Sequence, residues 1–214
     1  PEDVIYEAIG HCFDRLKNFA QARFYYRKAS HLNQEDSKLH YKIACTYINE
    51  LQWTTAVKHL ETAMQIHRMQ PEYNLAMGEC KMQLGNYKEA IQYFSNVVRQ
   101  RPRNVSGWEA LIRCLFYGEF YEEALEQVKA AIKMTDDKPV FGFYLCAVLF
   151  AMGKSKEALL QLEKAMNKAP KMLKKLIELN PALLRNQLVV DIGQFGLNIQ
   201  LTSSWPVIQR VRHF

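Results

Sequence analysis

Five cysteines and six histidines are the residues of this chain best suited to chemistry, as thiolate nucleophiles, disulfides or metal ligands. Cys12, Cys45, Cys80, Cys114 and Cys146 lie 33, 35, 34 and 32 residues apart. No Cys-x-x-Cys or His-x-x-x-His pair occurs, although a zinc site needs such close local pairs. His11, His31, His40, His59, His67 and His213 scatter, and none is set with a cysteine or serine in a nucleophilic arrangement. No glycine-rich phosphate loop is present. Glu122-Glu123 and Asp136-Asp137 read as solvated groups at helix starts or in loops. These residues support neither a metal site, a cofactor nor an active site. The even cysteine spacing points instead to a period, with each thiol on the first helix of a repeat at nearly the same slot. There it acts as a small hydrophobe. An odd number of cysteines in buried slots argues for a reducing compartment, taken as the cytoplasm.

The elements behind that spacing follow from the whole chain. It has 214 residues, 49% hydrophobic and 23% charged, enough to bury a core and too apolar for disorder. Nine glycines and seven prolines are too few for a turn-rich all-β chain. No run of apolar residues is long enough to span a membrane. The start, PEDVIYEAIG, lacks a secretory pattern and a Met, so the chain reads as part of a longer one. The net charge of +6 raises nucleic acid as a ligand.

A period of 34 residues organises the sequence. Ala22, Ala56, Ala90, Ala124 and Ala158 recur without insertion. Three residues before each stands Phe19, Trp53, Tyr87, Tyr121 or Ser155, and seven after it Ala29, Ala63, Val97, Ala131 or Ala165. Apolar residues recur at helical spacing, as in Ile5, Ile9, Cys12, Phe13 and Leu16. Gly85-Asn86, Gly118-Glu119 and Gly153-Lys154 mark turns that divide units into two helices of roughly 13–15 residues. Pro71, Pro139 and Pro170 stand at first-turn or inter-repeat positions, where a missing N–H costs little.

This pattern resembles the tetratricopeptide repeat (TPR), of the bacterial type with closing helices. Residues 71–104 match best, with Met77, Gly78, Gly85, Tyr87, Ala90, Phe94 and Pro102 in the expected slots. The fourth unit keeps Trp108, Leu111, Tyr121, Ala124 and Ala131, and the fifth Leu145, Gly153, Ala158, Ala165 and Pro170. In the first two, Gly10 and Ala44 fill the small slot while Lys17 and Leu51 replace the turn glycine. The resemblance implies an all-α, right-handed α-solenoid of five repeats, at about 3–36, 37–70, 71–104, 105–138 and 139–170. Beyond it, two capping helices are expected at 171–179 and 182–192, built on Leu173, Leu176, Ile177, Leu183, Leu184, Leu188 and Val189. Residues 193–214 change character and read three ways: a disordered tail or cloning scar, an arm docked in a groove, or a partner-binding element.

The resemblance further implies a ligand along a concave face built mainly from the first helix of each repeat. Its inward slots are Glu7, His11 and Asp14, then Lys38, Tyr41, Cys45 and Ile48, then Glu72, Leu75, Glu79 and Met82. Glu109, Arg113, Phe116 and Tyr117 follow, then Phe143, Ala147 and Phe150. Some family members grip a chaperone's C-terminal carboxylate with Lys and Asn in the first unit. Glu7 and His11 occupy those slots here and disfavour that ligand. The expected function is a non-enzymatic scaffold for an extended peptide or partner helix. Self-assembly or autoinhibition through the 193–214 arm, including a homo-oligomer, is the alternative; a nucleic-acid-binding repeat is weaker. Residues 1–170 hold 22 Lys+Arg against 20 Asp+Glu, whereas 171–214 hold 6 against 2. The basic excess therefore sits in the C-terminal appendage, and no nucleic-acid partner is expected.

Overall fold

The computed structural model describes residues 2–68 and 70–197, with side chains as far as Ile192. Among the described residues all regular structure is helical. Five helix pairs follow one another. Helix A of each pair is α1 (Glu2–Arg15), α3 (Ser37–Asn49), α5 (Pro71–Gln83), α7 (Val105–Tyr117) or α9 (Pro139–Ala151). Helix B is α2 (Phe19–Leu32), α4 (Trp53–Ile66), α6 (Tyr87–Gln100), α8 (Tyr121–Met134) or α10 (Ser155–Lys168). The chain divides into two compact units, Pro1–Gln100 and Arg101–Phe214.

Local chemistry starts these helices where the period places them. Side chains of Asn18, Asp36 and Asn104 accept first-turn N–H groups of Gln21, Lys38 and Gly107 at 3.3, 2.9 and 2.7 Å. Pro71 and Pro139 open α5 and α9, where their missing donors cost nothing. Between A and B the chain reverses through one left-handed residue, at Lys17, Leu51, Gly85, Glu119 and Gly153, with φ of 59, 59, 79, 63 and 75°. These positions are 34 apart. Within the expected Gly118-Glu119 turn, Gly118 caps α7 at φ −81° and Glu119 takes the left-handed slot. The hydrogen bonds of the turn fix this register: Glu119 N–H donates to Phe116 and Phe120 N–H to Leu115.

Each pair is held by one reciprocal size match. Gly10 faces Tyr26, so closely that a Cβ there would lie 2.6 Å from the ring, and Gly78 faces Phe94 in the same way. Sixteen residues also separate Ala44 from Leu60, Ile112 from Val128 and Cys146 from Leu162, all buried. Glycine stands opposite an aromatic ring in the first and third pairs, and Ala, Ile or Cys stands there where the helix-B residue is Leu or Val.

In the first unit, α2 packs on α3 and α4 on α5; Tyr26 and Ala29 join Leu39 and Ile43 in one cluster. In the second, α8 packs on α9. A closing segment follows α10: a 3-10 turn (Pro170–Met172), α11 (Leu173–Leu179), a second 3-10 stretch (Pro181–Arg185) and α12 (Gln187–Leu197). This departs from the expected pair of helices. Pro181 stops α11, and the residues after it take the tighter 3-10 path before Asn186 caps α12 through the N–H of Leu188 at 3.1 Å. α12 also runs through Gly193 and Gly196, where a tail was expected to begin, since glycine costs a helix only about 1 kcal/mol. The rest of that tail, 198–214, lies outside the described residues.

Candidate functional site

The cysteines come first because they were the best candidates for chemistry. All are free thiols, but they do not share one buried slot as expected. Cys80, Cys114 and Cys146 are buried, Cys45 is half-buried and Cys12 is exposed. Cys45 stands one position off the slot shared by Cys12, Cys80 and Cys114, Cys146 stands two off it yet is fully buried, and α1 packs chiefly on α2, leaving Cys12 uncovered. Burial pushes the thiols of Cys80 and Cys146 up to about 12, so they stay protonated and inert. Among the described residues no three His, Cys, Asp or Glu side chains converge as a metal site.

In the first unit, the helix-A face carries several of the expected groove residues. Lys38 is exposed, and Tyr41, Ile48, Leu75 and Glu79 are half-buried. The ring of Tyr41 packs 4.9 Å from that of Tyr73, whose hydroxyl is 2.9 Å from Ser37 Oγ. Burial, followed by Cys45, raises the pKa of the Tyr41 phenol and keeps it neutral. Ile48 packs against the core cluster that contains Ala44, Ala56, Leu60 and Met77. Glu79 accepts from Gln83 Nε2 at 2.9 Å. Met82 is only 5% exposed and belongs to the core rather than to a contact surface. One residue missed from sequence is Lys42, whose ammonium lies 2.6 Å from Glu7. That ion pair neutralises Glu7 and removes the charge argument against a carboxylate ligand there. The pairing was legible only as opposite charges 35 residues apart on neighbouring A helices.

The second unit looks different because its own closing segment covers the helix-A side. Lys175 on α11 pairs with Glu109 on α7 at 3.2 Å, and Tyr117 Oη donates to the Glu178 carbonyl at 3.4 Å. α11 packs directly on α9. Glu109 also accepts from Tyr144 Oη at 3.0 Å; burial and then this carboxylate raise the Tyr144 pKa. Arg113, half-buried, acts on the same phenol in the opposite sense. Phe143 and Ala147 have no exposed surface and Phe116 has 8%, its ring edge-on to Tyr117 and Tyr121. These three are core, contrary to the groove expectation. Helix A of the last pairs is apolar nearly all round, so spacing could not tell its inner face from its outer one. Phe150 is half-buried and Tyr117 is 42% exposed.

A cleft of about 830 Å³, outside the expected groove, lies among α4, α5 and α6 of the first unit, lined by Met64, Arg68, Met77, Tyr93 and Arg99. No described helix is long and apolar enough to cross a membrane.

Comparison with known families and structures fits this geometry. The tetratricopeptide repeat profile matches residues 4–36, and that of anaphase-promoting complex (cyclosome) subunit 3 matches residues 49–131. No curated protein matches the sequence. Among solved structures, MamA (residue 41 to the end) from Desulfovibrio magneticus RS-1 superposes with a TM-score of 0.71 at 16% identity, covering 78% of this chain and 94% of that one. YrrB, described as a TPR protein with an unusual peptide-binding site, gives 0.62 at 18% identity, over 87% and 89%. At such identities the likeness speaks for the fold alone. Profiles, period and paired helices agree: the chain is a tetratricopeptide-repeat protein.

Proposed function

We propose that the protein is a non-enzymatic scaffold that binds an extended peptide on the helix-A face of its first unit, at Lys38, Tyr41, Leu75 and Glu79. The observation that carries this reading is the contrast between the units. The equivalent face of α7 and α9 is seated under α11 through Lys175–Glu109 and Tyr117–Glu178. On α3 and α5 the candidate residues keep accessible surface. A half-buried aromatic, a half-buried leucine and flanking charges of both signs suit a peptide with spaced apolar anchors and an unpaired backbone. The peptide-binding site named for YrrB supports peptide recognition as a use of this fold. Of the second-unit candidates, Glu109 and Tyr117 are engaged by α11, while Tyr117 and Phe150 keep accessible surface of their own.

Selection of peptides on the intact protein from a random display library tests the proposal. Selected peptides should lose at least about tenfold in affinity for the Tyr41→Ala/Leu75→Ala variant, the loss of roughly 1.4 kcal/mol expected when anchors are truncated. Equal binding to the variant, or no enrichment of any peptide, would overturn it.

A second reading, occupation of a groove by the chain itself, is favoured by the seat of α11. The arm first suggested for this role, residues 193–214, lies mostly beyond the described residues.

A further inference from the structure

Helix α2 carries Arg23, Arg27 and Lys28 and no Asp or Glu. Its outward face opens on a cleft of about 740 Å³ lined by Phe24, Arg27, Lys28, His31 and, from α3, Tyr47; no carboxylate lines it. Aromatic groups hold the cations in place. Arg27 donates to Tyr47 Oη at 2.8 Å, and the Lys28 ammonium stands 5.1 and 4.7 Å from the ring centroids of Tyr6 and Phe24. Arg23 lies 4.4 Å over the Tyr47 ring, and Glu50 takes up its charge at 2.8 Å. Arg27 and Lys28 pair with no carboxylate among the described residues. Phe24 is 49% exposed, at a position that holds Lys58, Gln92 and Glu126 in the next three pairs. This face is outward by its place in the repeat. In α4, whose pair has another pair on each side in the chain, Lys58, Glu61 and Gln65 stand at the positions of Phe24, Arg27 and His31, and all three are exposed.

We propose that this face of α2 docks a short acidic segment of another protein, in which Asp or Glu side chains flank an apolar one. Arg27 keeps guanidinium N–H donors for a carboxylate, Lys28 adds a point charge, and Phe24 offers a ring to the apolar side chain. Charge complementarity selects this occupant. Residues 1–100 hold 12 Lys+Arg against 11 Asp+Glu, so the basic excess is local to α2 and is no field over the whole unit. From Phe24 to His31 the face runs about 10 Å at roughly 1.5 Å per residue, the reach of about three residues of an extended peptide. A nucleic-acid interface of roughly six to ten phosphate contacts needs a longer basic track. The surface lies on helix B, apart from the helix-A peptide face proposed above, and does not depend on it.

The probe is the capped peptide Asp-Glu-Phe-Glu-Asp, titrated into the full chain by calorimetry, with capped Asn-Gln-Phe-Gln-Asn as the neutral control. At an ionic strength of about 0.15 M the acidic peptide should bind with a Kd of about 0.5 mM or tighter, and the neutral one at least about tenfold more weakly. Arg27→Glu/Lys28→Glu, at two exposed positions, should weaken the acidic peptide at least about tenfold, and Phe24→Ser at least about threefold. Tyr41→Ala/Leu75→Ala should leave its affinity within about twofold, which separates this surface from the helix-A face. Any of four results would overturn the proposal: no binding of the acidic peptide, equal binding of the neutral one, unchanged affinity in either α2 variant, or tighter capture of a single-stranded oligonucleotide of the same charge by the same residues. Self-association of the chain that Arg27→Glu/Lys28→Glu abolishes would overturn it too, by giving the face to a second copy.

Discussion

At the scale of single residues the reciprocal size match is the strongest determinant of how each pair closes. Gly78 has room for no Cβ, since one would sit 2.6 Å from Phe94 Cε1. Gly78→Ala should therefore destabilise the protein by about 1–3 kcal/mol, the usual range for overpacking a well-filled core. The second pair already shows the remedy, because it closes with Ala44 against Leu60. Gly78→Ala combined with Phe94→Leu should recover part of that loss, giving a coupling energy of opposite sign to the single effects in a urea-unfolding double-mutant cycle. Strict additivity would show that the two side chains do not compete for one space. His40 and His59 make a second residue-level case. Their rings stack 6.4 Å apart, and His59 stacks on Tyr47 at 5.4 Å. Burial lowers the pKa of both; Arg27 and His40 lower that of His59 further, while Asp36 partly offsets the shift of His40. Because the folded values lie below the unfolded value of 6.5, their neutral forms stabilise the fold fully above that pH and progressively less below it. The urea midpoint should fall between about pH 7.5 and pH 5, and His59→Gln should flatten that fall. An unchanged slope in the variant would place the acid sensitivity elsewhere.

At the scale of elements the turn between helices A and B demands a left-handed residue, and three of the five turns lack glycine there. The left-handed region costs an ordinary residue about 1–2 kcal/mol, against the extra entropy glycine loses on folding. Glu119→Gly and Leu51→Gly should each stabilise by about 0.5–1 kcal/mol. Gly85→Ala should destabilise by a similar amount from backbone strain alone, since no atom lies within 4 Å of the added methyl. Chemical denaturation of the three variants checks all three signs. These turns also show what was readable in sequence. The period came from small residues at Ala22, Ala56, Ala90, Ala124 and Ala158, all fully buried, and it set the helix pairs. The Gly118-Glu119 pair located the fourth turn, and hydrogen bonding puts Glu119 rather than the glycine in its left-handed slot. Phe116, Phe143 and Met82 misled because an apolar residue on an apolar helix carries no mark of the face it joins. Cys12 misled in the other direction, since burial depends on a neighbouring helix and not on the slot alone.

At the scale of the whole molecule the period accounts for the pairs, while the closing segment distinguishes the two units. Nothing in the 34-residue pattern indicated that α11 would settle on helix A of its own unit. That outcome follows from tertiary contacts: Lys175 finds Glu109, Tyr117 finds the Glu178 carbonyl, and Leu173, Leu176, Ile177 and Leu179 leave water. Four buried apolar side chains of about 1.5–3 kcal/mol each outweigh one half-exposed ion pair of about 1 kcal/mol or less. The ion pair consequently sets where α11 sits more than how firmly. Lys175→Glu places two carboxylates together and should loosen α11 without unfolding the unit. Hydrogen exchange should then rise in residues 173–179 and stay unchanged in α3 and α5. If the peptide face lies on the first unit, affinity for a selected peptide should remain within about twofold in this variant, since Lys175 and the helices it contacts belong to the other compact unit. A gain of tenfold or more would instead mean that the peptide competes with α11 for α7 and α9, and would move the binding face to Glu109, Arg113 and Phe150.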